Sequence, residues 1–154
     1  MRRDSKLSGV LHVLLHMAEH AGPMTSEDLG RVMQTNPVVI RRIMAGLREQ
    51  GLVRSEKGHG GGWSISCDFN GVTLRDIYDA LGSPEIFAMG NRSESPGCLV
   101  EEAVNASLDG AFEEAQALLL DRFGKVTLAE LSRDFHTRML ARGQAFDVQA
   151  AHQA

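Results

Sequence analysis

Apolar residues recur at helical spacing along most of this 154-residue chain, interrupted once by a short stretch of strand character. Leu7, Val10, Leu11, Leu14, Leu15 and Ala18 mark a first helix that should end near Gly22-Pro23. Thr25 and Asp28 form a capping pair for a short second helix, whose apolar side is Leu29, Val32 and Met33. Asn36 is a helix cap, and Pro37 follows at the first helical position, where its missing N–H costs nothing. That third helix should run to about Gln50 and stop at Gly51. Ile40, Ile43, Met44 and Leu47 form one stripe on it, while Val38, Arg41, Arg42, Ala45 and Glu49 lie mainly on the other side. Leu52-Val53-Arg54 and Trp63-Ser64-Ile65 read as strands, and Gly58 to Gly62 can supply the positive φ values of a tight hairpin between them.

Thr73 and Asp76 cap a fourth helix patterned by Leu74, Ile77, Tyr78 and Leu81 and stopped by Gly82. Residues 82–97, rich in Gly, Ser and Pro, read as a long loop, a length often tied to function. A long helix is then expected from about Cys98 to Phe123, with Gly110 the weak point in its continuity. Val104, Leu108, Ala111, Ala115 and Leu118 repeat at coiled-coil-like intervals along it. Leu99, Ala103, Phe112, Leu119 and Phe123 widen the apolar surface enough to face both the helix's own domain and a second subunit. Thr127 and Glu130 cap a last helix reaching about Leu140, and the tail from Ala141 should fray. The expected fold class is mainly α with a small β-hairpin wing: a winged helix-turn-helix plus a long C-terminal dimerisation helix. The expected organisation is a DNA-binding domain over 1–81, a sensory or connecting loop over 82–98, dimerisation helices over 99–140 and a flexible tail over 141–154.

Charge changes the picture by its distribution. The net charge is −4, which taken alone argues against nucleic acid. Yet residues 1–63 hold nine Lys/Arg against six Asp/Glu, and residues 64–154 hold seven against fourteen. A basic front and an acidic back suit a protein that meets phosphates with one half only. No apolar run is long enough to span a bilayer, and no signal-peptide core follows Arg2 and Arg3, so a cytoplasmic location is expected. Two cysteines, Cys67 and Cys98, make no disulfide framework.

The third helix followed by a glycine-rich hairpin is the order that a winged helix-turn-helix needs to read double-stranded DNA. The DNA-binding candidates are Thr25 and Ser26 at the second helix, Asn36, Pro37, Val38, Arg41 and Arg42 at the third, and Lys57, His59 and Gly60 on the hairpin. Arginine can bind guanine O6 and N7 in a bidentate way, and lysine among glycines can meet a phosphate. Trp63 is expected to anchor the wing on the core rather than to stack on a base. His12, His16 and His20 lie four residues apart and read as a solvated polar face of the first helix, although two such histidines can bind a metal ion. No nucleophile–base pair, paired acids or phosphate loop stands out, so no enzyme is expected and no cofactor is assigned.

These residues in this order resemble the Rrf-two family of winged-helix transcription regulators, the IscR/NsrR/CymR-like proteins. The resemblance is carried by Asn36 to Arg42, Gly51-Leu52-Val53, Lys57-Gly58, Gly61 to Ile65, Val72 to Ile77 and Val126 to Leu131, and covers about residues 5–135. It implies a homodimer, joined by the long helix, that binds a roughly palindromic operator, usually as a repressor. Many family members hold an iron–sulfur cluster on three cysteines near position 98, where this chain has only Cys98. Two distant thiols fall short of the usual four ligands, so a cluster is not expected. A cysteine at a helix N-terminus can instead be a reactive thiolate, which makes Cys98 a redox-sensing candidate beside the plainer reading of an inert cysteine. The rival readings are a cluster-bearing sensor and an interaction module that controls a metabolic enzyme.

Overall fold

The computed structural model describes residues 6–91 and 94–143. Six helices and one hairpin follow in chain order: α1 Lys6–Glu19, α2 Ser26–Val32, α3 Pro37–Glu49, β1 Val53–Glu56, β2 Gly62–Ile65, α4 Leu74–Ala80, α5 Leu99–Gly124 and α6 Leu128–Ala141. The strands pair antiparallel, with Val53 opposite Ile65 and Glu56 opposite Gly62. No helix among the described residues is long and apolar enough to cross a membrane. The part of the expected tail beyond residue 143 lies outside the described residues.

Threonine starts three of the helices. Thr25, Thr73 and Thr127 each accept from the backbone N–H three residues on, and Asp28, Asp76 and Glu130 reach back to the threonine N–H. Two orphan amides are thereby satisfied at each start. Gly51 follows α3 at φ +73°, which lets the chain leave the helix in the left-handed conformation.

One core joins these elements. Val10, Val13, Leu14 and Met17 of α1 pack with Leu29, Ile40, Met44, Leu47, Val53, Ile77 and Leu128. On α1 the buried face is rotated from the expected stripe. Val13, His16 and Met17 are inside, while Leu15 is half-buried and Ala18 exposed. Both stripes obey helical spacing, and packing against α4, α6 and β2 selects the inner one.

Within the span 99–140, α6 packs back onto the first core. Leu74 N donates to Val126 O and Leu128 N to Val72 O, both at 2.9 Å, which pins the starts of α4 and α6 side by side. Leu128 is fully buried there. α5 lies outside that core and packs against α4. It runs unbroken through Gly110, and none of its 26 residues is buried. Its inner side meets the rest of the chain through Phe123 against Tyr78 and Phe112 against Phe87.

Candidate nucleic-acid interface

Helices α2 and α3 meet at a glycine. A Cβ at Gly30 would lie 2.9 Å from the Thr35 carbonyl oxygen and 3.3 Å from Pro37 Cγ. The chain can therefore turn tightly from one helix to the next only because position 30 has no side chain. Thr35 N donates to Gly30 O at 2.9 Å, and Gln34 takes a positive φ of 50° in the turn. Asn36 then caps α3 by accepting from Val38 N at 2.8 Å.

The buried stripe of α3 is Ile40, Met44 and Leu47. That leaves Val38, Val39, Arg41 and Arg42 pointing outward from its first two turns. Val38 is 56% exposed and Val39 44% exposed. Branched apolar side chains at such exposure are only partly sheltered by the fold. They suit contact with thymine methyl groups at the floor of a major groove.

The two arginines differ. Arg41 reaches across to α2, and its guanidinium donates to Glu27 Oε1 at 2.5 Å, an ion pair open to solvent on both sides. Arg42 has no hydrogen-bond or ion-pair partner among the described residues. On α2, Arg31 pairs with Asp28. The bond from the Thr25 hydroxyl is the main cause that holds the Asp28 carboxyl below the usual carboxylate range, with Arg31 adding to it.

Beside α3 stands the hairpin. Gly58 and Gly60 adopt positive φ in the turn, and a Cβ at Gly61 would fall 2.3 Å from Glu56 O. Lys57, His59 and Gly60 are exposed at its tip. The base of the wing is tied to the residues before α2. Met24 N donates to Trp63 O at 3.0 Å, and Trp63 N donates to Met24 O at 2.8 Å. At Gly62 a Cβ would clash with Met24 O at 2.6 Å, so this approach also needs a glycine. Trp63 Nε1 donates to Ser26 Oγ at 3.0 Å. The expectation that Trp63 anchors the wing matches this geometry.

Ser26 is placed differently from its expected role. It is only 7% exposed, and its hydroxyl accepts from the Trp63 indole. The Thr25 hydroxyl is likewise taken up in the α2 cap. Ser26 orients the wing against α2 instead of presenting a hydroxyl outward. Glu27 and Gly30 were not singled out from the sequence, while Val39 and Gly62 entered only through the family resemblance and, for Gly62, the hairpin turn. Gly30 did carry a signal, a glycine inside a seven-residue helix, where it costs stability unless something needs the space.

Cys98 is exposed at the cap position of α5 and makes no side-chain capping bond. Cys67 is half-buried against the core, and burial pushes its thiol up. No group of three or more His, Cys, Asp or Glu that could hold a metal is present among the described residues. The donor set does not fit an iron–sulfur cluster, which needs thiolates gathered around one point.

The profile of the family described as "Rrf2: Iron-dependent Transcriptional regulator" matches residues 3–134. YwnA of Bacillus subtilis (strain 168), whose name provisionally makes it an HTH-type transcriptional regulator, is 26% identical over 130 residues, covering 83% of this chain and 95% of YwnA. Two solved structures share the fold. IscR of T. potens is 19% identical with a TM-score of 0.64, covering 87% of this chain and 88% of that one. CymR (YrzC), named the global cysteine regulator of B. subtilis, is 19% identical with a TM-score of 0.60, covering 86% and 97%.

Proposed function

The chain belongs to the Rrf2 family of transcriptional regulators, and from that premise we propose that it is a homodimeric repressor of a roughly palindromic operator. The observation that carries this reading is the outward face of Val38, Val39, Arg41 and Arg42 at the N-terminal end of α3, beside the glycine-rich wing. In a helix-turn-helix this end of the second helix meets the base edges. Arg42 and Arg41 supply guanidinium donors for guanine or phosphate, Val38 and Val39 read thymine methyls, and the Asn36 end of α3 meets a phosphate. Lys57 and His59 follow the backbone at the wing, where Gly60 allows a close approach.

Dimerisation is assigned to α5. The seam expected from the sequence, Val104, Leu108, Ala111, Ala115 and Leu118, is exposed in the single chain, with Leu118 at 73%. Leu99 and Val100 extend this apolar surface towards the start of α5. Such a run on a soluble protein is costly unless another surface covers it. A second α5 sets the distance between the two α3 helices, which one turn of DNA fixes at ~34 Å. Leu108→Glu with Leu118→Glu should give a monomer by light scattering and abolish tight operator binding. A dimeric double variant with unchanged affinity would remove α5 from the account.

The input is assigned to the loop over 82–98 and to Cys98. Oxidation of an exposed thiol at the head of α5 alters the end of the helix that spaces the two readers. Hydrogen peroxide should release operator DNA from the wild type and not from Cys98→Ser. Equal release from both would show that the signal enters elsewhere.

A further inference from the structure

His12 and His20 are exposed, as their spacing predicts, but His16 is not. His16 is only 9% exposed, and its Nε2 lies 2.8 Å from Nε2 of His12, one turn earlier on the same helix. The two rings are tilted by 43° with centroids 4.6 Å apart. The two Nε2 atoms therefore face each other at hydrogen-bond distance on the surface of α1, with His12 on the open side. Glu19 follows three residues after His16, and its nearly buried carboxylate accepts from His136 Nε2 of α6 at 2.8 Å.

We propose that His12 and His16 form a binding site for one divalent first-row transition-metal ion. The argument is geometric. Imidazole nitrogens bound to one ion at ~2.0–2.1 Å stand ~2.9 Å apart for a right angle at the metal and ~3.3 Å apart for a tetrahedral one. The observed 2.8 Å is close to the right-angle value, which suits Ni²⁺ or Cu²⁺ better than Zn²⁺. Binding replaces the proton that the two Nε2 atoms share, and that proton moves to Nδ1 of the ring that carries it, so that both imidazoles bind as neutral Nδ1–H tautomers. Water completes the shell on the exposed side of His12.

The placement gives the site a consequence. A positive ion one turn from Glu19 bears on the contact between α1 and α6. The site shares no residue with the Cys98 loop and does not depend on the DNA-binding reading.

Titration calorimetry of the full chain with Ni²⁺ tests it. One ion per chain is expected for the wild type, for His20→Gln and for Cys98→Ser. The affinity should fall by about tenfold or more in His12→Gln. His12 is exposed, so this variant should melt like the wild type without metal. Nickel should raise the melting temperature of the wild type and leave that of His12→Gln unchanged. No binding by the wild type, equal affinity in His12→Gln, or an equal loss in His20→Gln would each overturn the site.

Discussion

Arg41 and Arg42 are neighbours in sequence, but they should contribute unequally to DNA binding. Arg41 is held by Glu27 across the helix-turn-helix, whereas Arg42 projects without a partner among the described residues. To reach DNA, Arg41 must give up an exposed ion pair, worth ~0.2–1 kcal/mol. A guanidinium contact to a guanine edge is worth ~1–3 kcal/mol of discrimination, and loss of a phosphate contact lowers the salt slope by about 0.9. Arg42→Ala should therefore cost ~1–3 kcal/mol per half-site, and Arg41→Ala less than that by the ~0.2–1 kcal/mol of its ion pair. In a dimer, each substitution removes two contacts and should flatten the plot of log affinity against log salt by up to ~1.8. Glu27→Gln should strengthen binding, since it frees Arg41 and removes a negative charge from a surface that faces phosphates. Fluorescence anisotropy titrations at several salt concentrations measure all three variants. Equal losses for the two arginines, with no gain from Glu27→Gln, would refute the reasoning.

Gly30→Val should lower the melting temperature and DNA affinity together, because its Cβ would sit 2.9 Å from the Thr35 carbonyl oxygen; overpacking of this kind costs ~1–3 kcal/mol. The Asp28 carboxyl is depressed in the folded state, so its stabilisation is present above the ordinary carboxylate range near ~3.9 and is lost as pH falls through the folded value. Asp28→Asn should thus lower stability at neutral pH and flatten the acid limb of the melting curve; an unchanged acid limb would place the acid sensitivity elsewhere. Cys98 is exposed while burial raises the Cys67 thiol, so iodoacetamide followed by mass spectrometry should label Cys98 first and Cys67 mainly on unfolding.

Much of the architecture was legible because local chemistry and global fold agree. The three Thr-x-x-Asp/Glu boxes mark helix starts through backbone amides three residues away, so no tertiary knowledge is needed. Asn36-Pro37 and Gly51 bracket α3 for the same reason, and the glycines at 58–62 announce the hairpin. What escaped depends on which of several permitted faces another element covers. Helical spacing on α1 allows more than one apolar stripe, and only the approach of α4, α6 and β2 buries Val13, His16 and Met17. The return of α6 to the first core rests on pairing between Val72–Leu74 and Val126–Leu128, segments more than fifty residues apart; both read Val-Thr-Leu, but the shared triplet by itself marks two helix starts and not their contact.

The site was legible at the level of elements and less so for single side chains. Spacing places Val38, Arg41 and Arg42 opposite the buried stripe, as the fold has them. It could not reveal that Glu27 engages Arg41, or that Ser26 serves the Trp63 indole, since both contacts cross between elements. The convergence of His12 and His16 was half legible. The four-residue spacing was visible, but the burial that fixes one ring against the other was not.

Hydroxyl-radical footprinting, on a duplex that the wild-type protein selects from a random pool, tests the central claim most directly. A dimer joined by α5 and reading with α3 should give two symmetric protected patches whose centres lie about one helical turn apart, ~34 Å. Arg41→Ala combined with Arg42→Ala should erase both patches together. A single asymmetric patch, or two patches that survive the double substitution, would contradict the account.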